Sequence, residues 1–218
     1  VYWETDYQVA NPDMVNAIKA ALGDSVMLQW FGHASRFRWG STQVFSTFSV
    51  KSMSPTVQWP LTADYSCWTG YFVNLYNSSG DYRSLSEVML LTANQGSAAT
   101  IGPSGLHVGG ALLTLNQGLV KAIFQDEVLP VGDALNAAKQ HFLANSNSWH
   151  DVVDTTVLFG DPAMRLRLMR TCMMLMLEAS TSSMDGSRGS SGGSGSGMPR
   201  LSRNLRRHSL ISAAPDSD

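Results

Sequence analysis

Two apolar runs, each breaking off at a chemically capable side chain, constrain this chain more than any other feature. Val26-Met-Leu-Gln-Trp-Phe31 ends at Gly32, and His33 follows at once. Leu61-Thr-Ala-Asp-Tyr-Ser66 ends at Cys67, with Gly70 just beyond. Short, mostly apolar runs closed by glycine read as buried β-strands. If the two are parallel neighbours, both side chains stand at the carboxyl edge of one sheet, where open α/β folds hold their ligands. A thiol attacks an acyl carbon as the thiolate, and a nearby imidazole can take its proton and later return one to the leaving group. Cys67 and His33 are therefore the candidate nucleophile and proton carrier. The competing reading is an inert buried thiol and a loop histidine with purely structural partners.

The elements around these runs alternate between helix and strand. Asn11-Pro12-Asp13 opens a helix, with Asn as cap, Pro at the first helical position and an acid at the positive end. Met14, Val15, Ile18 and Leu22 recur at helical spacing up to Gly23. Val1–Tyr7 reads as a short strand. Residues 36–60 show no periodicity and read as a long connection, with a turn of helix near Gln43–Phe48. Ser84-Leu-Ser-Glu87 is a capping box that starts a helix running to about Ala93. Ser97–Ile101 reads as a small-residue strand, Gly102–Gly105 as a loop, and Leu106–Ile123 as a helix. Val131–Ala144 is a further helix with Val131, Ala134, Leu135, Ala138 and Phe142 on one side. Thr155–Phe159 closes the series as a strand, and the alternating Ala163–Leu168 reads as an edge strand. This order predicts an α/β fold, a mostly parallel sheet covered by helices on both faces.

Composition narrows the function classes. The chain has 218 residues, 44% hydrophobic and 15% charged, with a net charge of −2. That balance argues against a nucleic-acid partner, which calls for a basic surplus. No apolar run reaches the ~18 residues that cross a bilayer. Two cysteines, Cys67 and Cys172, are too few for a disulfide framework, though one bridge between them is open. The start, Val1-Tyr-Trp-Glu-Thr-Asp, has neither the basic residue nor the apolar run of a secretory signal. From Thr171 the composition shifts, and Ser180–Gly197 is dominated by Ser and Gly. Residues 1–170 are thus expected to form the folded domain and 171–218 a disordered tail.

The residues at the two strand ends carry a family resemblance. Gly32-His33-Ala34-Ser35 followed by Trp39-Gly40, and Asp64-Tyr-Ser-Cys67-Trp-Thr-Gly70-Tyr-Phe72, resemble the histidine and nucleophile segments of the gingipain-type cysteine peptidases, in the caspase-like clan. Ser86-Glu-Val-Met, then Gly96-Ser-Ala-Ala-Thr-Ile101-Gly, and finally Val157-Leu-Phe-Gly160-Asp161-Pro162-Ala, are similar to later motifs of that family, in the same order. The resemblance covers roughly residues 1–168. It implies a caspase-like three-layer α/β/α sandwich and a secreted or cell-envelope thiol endopeptidase acting on peptide substrates. Cys67 would be the nucleophile and His33 the proton carrier, with an oxyanion site from the backbone amides of Cys67 and Ala34.

Two departures shape what is expected. Ala34 stands where the family has glycine, and a positive φ there would cost of order 1 kcal/mol. The family domain also begins earlier, so its first strands and the acid orienting the histidine are expected upstream of Val1, from a separate N-terminal chain or a longer precursor. A transpeptidase of the same fold, sortase-like in outcome, and a catalytically inactive scaffold or binding module are the alternatives to the peptidase. Trp39, Trp68 and Ser104 are candidates for substrate contact, with core packing the competing role for the tryptophans. His107, His141 and His150 lack metal-site spacing and read as structural or surface residues. Asp151 and Asp154 near His150 could hold calcium, but paired surface acids are common. No cofactor and no metal is expected.

Overall fold

The computed structural model describes residues 12–40, 44–73 and 82–168, together with the backbone of Leu210–Ser212. The expected strand at Val1–Tyr7 lies outside the described residues, as does Cys172. Helix α1 (Pro12–Asp24) buries Met14, Ile18, Ala21 and Leu22, the stripe its sequence period predicts. It leads into β1 (Met27–Phe31), which pairs in parallel with β5 (Leu61–Tyr65) in the register Met27↔Leu61 through Phe31↔Tyr65. β5 pairs in parallel with β6 (Ala99–Pro103), and β7 (Thr156–Phe159) closes that side antiparallel to β6. Every residue of β5 and β6 is buried, as expected for inner strands covered on both faces.

The helices fall on the two faces of this sheet. Leu28 and Trp30 of β1 join α1 and helix α3 (Leu85–Leu91) in one apolar cluster with Trp39, Val44, Phe45, Val50 and Met53. On the opposite face, Gln29 of β1 donates through Nε2 to Asn116 Oδ1 at 2.7 Å, reaching α4 (Gly109–Phe124). α4 packs on α5 (Val131–Asn145), whose buried Val131, Ala134, Leu135, Ala138 and Phe142 are the five residues its sequence period marks. The two helices approach closely at Gly118, where a Cβ would stand 2.8 Å from that of His141. The α/β/α sandwich with a mostly parallel sheet is therefore the fold. The capping box at α3 is complete: Ser84 Oγ accepts the Glu87 amide and Glu87 accepts the Ser84 amide at 2.7 Å.

The structure corrects the sequence expectation in several places. Residues 36–60 are not a plain connection. β2 (Ala34–Ser35), β3 (Arg38–Trp39) and β4 (Phe45–Ser46) form a small antiparallel sheet, followed by α2 (Thr47–Lys51). Strands of two residues show no alternation long enough to register as a period, which is why the sequence hides them. Helix α6 (Asp151–Thr155) precedes β7 and is not among the expected elements. Ala163–Leu168 forms no strand; only Arg165 bridges, to Pro130, and Leu166 is the buried residue there. Within the expected tail, Leu210–Ser212 forms β8, parallel to β1 at Gln29–Phe31. A bare parallel edge offers unpaired N–H and C=O groups, which this segment's backbone meets.

Candidate active site

The register of β1 and β5 places the two candidate residues. Phe31 and Tyr65 are the last paired residues, and their rings stack at 4.5 Å. His33 and Cys67 each stand two residues further on. Neighbouring strands run about 5 Å apart, and the Gly32 amide still donates to the Tyr65 carbonyl at 3.5 Å. The two residues thus leave the same carboxyl edge from adjacent strands. His33 is exposed and Cys67 half-buried, so neither is walled into the core. Cys67 is a free thiol.

Each residue sits in a backbone turn that the local sequence makes. Gly32 adopts φ 148°, which reorients the chain between the end of β1 and the hairpin. The His33 carbonyl accepts the Gly40 amide at 2.8 Å and the Trp30 indole N–H at 3.3 Å, so its backbone is held from both sides. On the other strand, Trp68 follows Cys67 with φ 60°, a conformation costing of order 1–3 kcal/mol for a non-glycine residue. Its neighbours impose it: the Trp68 amide donates to Gly105 at 3.0 Å, and its carbonyl accepts the Tyr71 amide at 2.9 Å. Gly70 seats this turn against β6, donating to the Pro103 carbonyl at 2.8 Å. A Cβ at Gly70 would lie 2.8 Å from the Gly102 carbonyl oxygen. The result is a sharp turn with the thiol at its start.

Ala34 begins β2 and takes no positive φ, so the strain expected there does not arise. Trp39, expected as a pocket wall, is fully buried. It stacks on Trp30 at 5.3 Å and donates its indole N–H to Asp64. Packing holds it beneath the hairpin and out of any groove. Trp68 is 42% exposed beside the thiol, with Tyr71 and Phe72 also exposed further along the same turn. Ser104 spends its hydroxyl on the Thr155 carbonyl at 2.9 Å, while its amide donates to the same oxygen at 2.7 Å. Arg36, from the histidine hairpin, places its guanidinium 5.3 Å from the ring centroids of both Phe37 and Tyr71, joining the two turns.

Two further residues join the site that the sequence alone does not assign to it. His107, expected to be structural or at the surface, stands beside the nucleophile: the Cys67 thiol donates to its carbonyl at 3.6 Å. The His107 ring meets Thr155 Oγ1 at 2.5 Å through Nε2, and that hydroxyl gives its single proton to the Asp151 carbonyl at 2.6 Å. The oxygen must therefore accept from the ring, which puts the imidazole proton on Nε2. Nδ1 is left buried without a partner. Burial lowers the basicity of this ring, with Asp151 opposing the shift. Among the described residues no group of three or more potential metal ligands occurs, the pair Asp151 and Asp154 included.

Asp64 is the second. A carboxyl inside the largely buried run of β5 is the signal the sequence offers, because an acid is rarely buried without a specific partner. Its Oδ2 accepts the Trp39 indole N–H at 2.5 Å, and its Oδ1 accepts the Ser66 hydroxyl. Burial pushes its pKa from 3.8 up to about 6, with Ser66, Thr69 and Trp39 drawing it partly back. The folded state thus holds this proton more tightly than the unfolded chain does. Stability from this group is fully present below about pH 4, is lost as pH rises through 6, and is level above. At about 1.4 kcal/mol per unit, the loss comes to about 3 kcal/mol. Denaturant unfolding at pH 4.5 and 7.5 is expected to show about 2 kcal/mol of this fall in the parent chain and a flatter dependence in Asp64→Asn. Equal slopes in the two proteins would mean that the carboxyl does not titrate in that window.

Comparison with known proteins places this arrangement. The family model described as Peptidase family C25 matches residues 2–167. A comparison with curated proteins gives no match. Similar solved structures include the Arg-specific cysteine proteinase gingipain R, at 20% identity and TM-score 0.58, covering 70% of this chain and 36% of that one. The complex of the RgpB pro- and mature domains from Porphyromonas gingivalis aligns at 20% identity and TM-score 0.61, covering 70% and 37%. A structure described as a protease aligns at 16% identity and TM-score 0.56, covering 67% and 37%. The chain spans little more than a third of the length of these structures, and at such identities the likeness is one of fold.

Proposed function

Because the chain belongs to peptidase family C25, we propose that it is a cysteine endopeptidase in which Cys67 is the nucleophile and His33 the proton carrier. One observation carries this reading. His33 and Cys67 lie at equal offsets beyond the last registered pair of two adjacent parallel strands, at one carboxyl edge. The strained Trp68 beside the thiol supports it, since such strain persists at sites where geometry matters more than stability.

In the proposed reaction His33 takes the Cys67 proton and the thiolate adds to the scissile carbonyl. The negative charge that develops on the carbonyl oxygen is met by the backbone amides of Cys67 and Ala34. One such donor is worth about 3 kcal/mol of barrier. The His33 imidazolium then protonates the leaving amine, and the thioester remains. Water, deprotonated by His33, hydrolyses it and restores the thiol. Trp68 supplies an exposed apolar surface beside the nucleophile for a substrate side chain. Among the described residues no helix is long and apolar enough to cross a membrane. We take the site of action to be secreted or at the cell envelope, by analogy with the gingipains.

Active-site labelling tests the reading. A panel of peptidyl chloromethyl ketones is expected to alkylate the folded protein once, with the modified peptide mapping to Cys67 and competition by peptide substrates. A folded protein whose Cys67 stays unmodified under all of them would favour the inactive scaffold. Release of an amide adduct on adding an amine, in place of the free acid, would assign a transpeptidase.

A further inference from the structure

The two halves of the candidate site are also joined below the surface, through one buried carboxyl. Asp64 lies on β5, and the Ser66 hydroxyl bound to its Oδ1 belongs to the residue directly before Cys67. The Trp39 indole bound to its Oδ2 at 2.5 Å belongs to the hairpin that begins directly after His33. The Trp39 ring lies flat on Trp30, with centroids 5.3 Å apart and planes within 6°. The Trp30 indole N–H in turn reaches the His33 carbonyl at 3.3 Å. A continuous path therefore runs from the backbone of the nucleophile through Ser66, Asp64, Trp39 and Trp30 to the backbone of the histidine. Its four intermediate residues are all buried.

A carboxyl in a central strand is an expensive way to join two loops. Burying it costs solvation that an apolar pair of the same volume would not. Its advantage is geometric. Two hydrogen bonds to two oxygens of one rigid, strand-borne group fix two loops relative to each other, whereas apolar contact lets them slide. We propose that Asp64 is a positioning residue for the dyad, setting the placement of His33 relative to Cys67 by holding Trp39 and Ser66 at once. The inference rests on the reading of Cys67 and His33 as nucleophile and proton carrier. Asp64 touches no substrate on this account; it acts through the two backbones.

The test compares Asp64→Asn, Trp39→Phe and their double variant with the parent chain and with His33→Ala. Asparagine keeps the shape of the carboxyl but offers one acceptor oxygen. Phenylalanine keeps an aromatic ring for the stack and removes the indole N–H. Each is expected to lower kcat by up to about 10²-fold with KM little changed, the scale on which small misplacements cost rate. Each is also expected to lower the ratio of Cys67 alkylation by iodoacetamide at pH 6 to that at pH 9, as His33→Ala does. The double variant should lose no more than the worse single one, because both changes break the same bond. Circular dichroism and thermal melts confirm that each protein compared is folded. If His33→Ala lowers the alkylation ratio but folded Asp64→Asn and Trp39→Phe leave it and kcat unchanged, the positioning role is overturned and the peptidase reading stands. If His33→Ala itself leaves the ratio unchanged, the dyad falls and the role of Asp64 falls with it.

Discussion

Cys67→Ala is expected to slow peptide-bond hydrolysis on the order of 10⁶-fold, as when an enzyme of this logic loses its nucleophile. The size of the effect follows from the covalent step. Without the sulfur no acyl-enzyme forms, and water would have to attack a carbonyl held only by the remaining amides. The fold should survive the change. The thiol is half-buried, and the contact it gives up is a long hydrogen bond of 3.6 Å to the His107 carbonyl, worth less than about 1 kcal/mol. Thermal melts of the two proteins should therefore nearly coincide while turnover of a peptide library vanishes in the variant. Cleavage continuing at the parent rate in a folded Cys67→Ala protein would dismiss the thiol as nucleophile.

His33→Ala carries the second largest effect, an expected loss of about 10²–10⁴-fold in kcat, the usual contribution of a general base. The backbone anchorage of this loop survives the change. The hydrogen bonds from Gly40 and Trp30 end on the His33 backbone carbonyl, which alanine retains. The variant should recover part of its rate in alkaline solution, where hydroxide can take the thiol proton in place of the imidazole. The parent chain should show no such rise. A pH–rate profile of both proteins on one substrate reads this directly. Identical profiles would show that the imidazole does not handle the proton.

Much of this molecule is legible in its sequence. The apolar runs around Leu28 and Ala63, the helical stripe of α1, the five buried positions of α5 and the capping box at Ser84 each rest on interactions within a few residues. Local chemistry of that kind leaves a periodic or positional trace. The histidine and cysteine are legible for the same reason, since each closes a run and has a glycine at hand. Trp39 is not. As one residue in a strand of two, its sequence surroundings do not say whether it faces a groove or the core. Its burial depends on Trp30 arriving from β1 and Asp64 from β5. His107 is likewise opaque, because the carbonyl it offers to Cys67 and the ring it offers to Thr155 are contacts across 40 and 48 positions of chain.

The chain's own pattern determined that it would form an α/β sandwich, that its central strands would be parallel and covered, and that a thiol and an imidazole would each stand at a strand end. Period, capping and glycine placement are local, and local rules suffice for those outcomes. Only the tertiary structure decided that β1 and β5 are neighbours in a register ending at Phe31 and Tyr65, that β7 runs antiparallel, and that a buried carboxyl joins the two loops. Pairing between distant strands is chosen by the packing of the whole core, where a shift of one residue would turn every side chain to the other face.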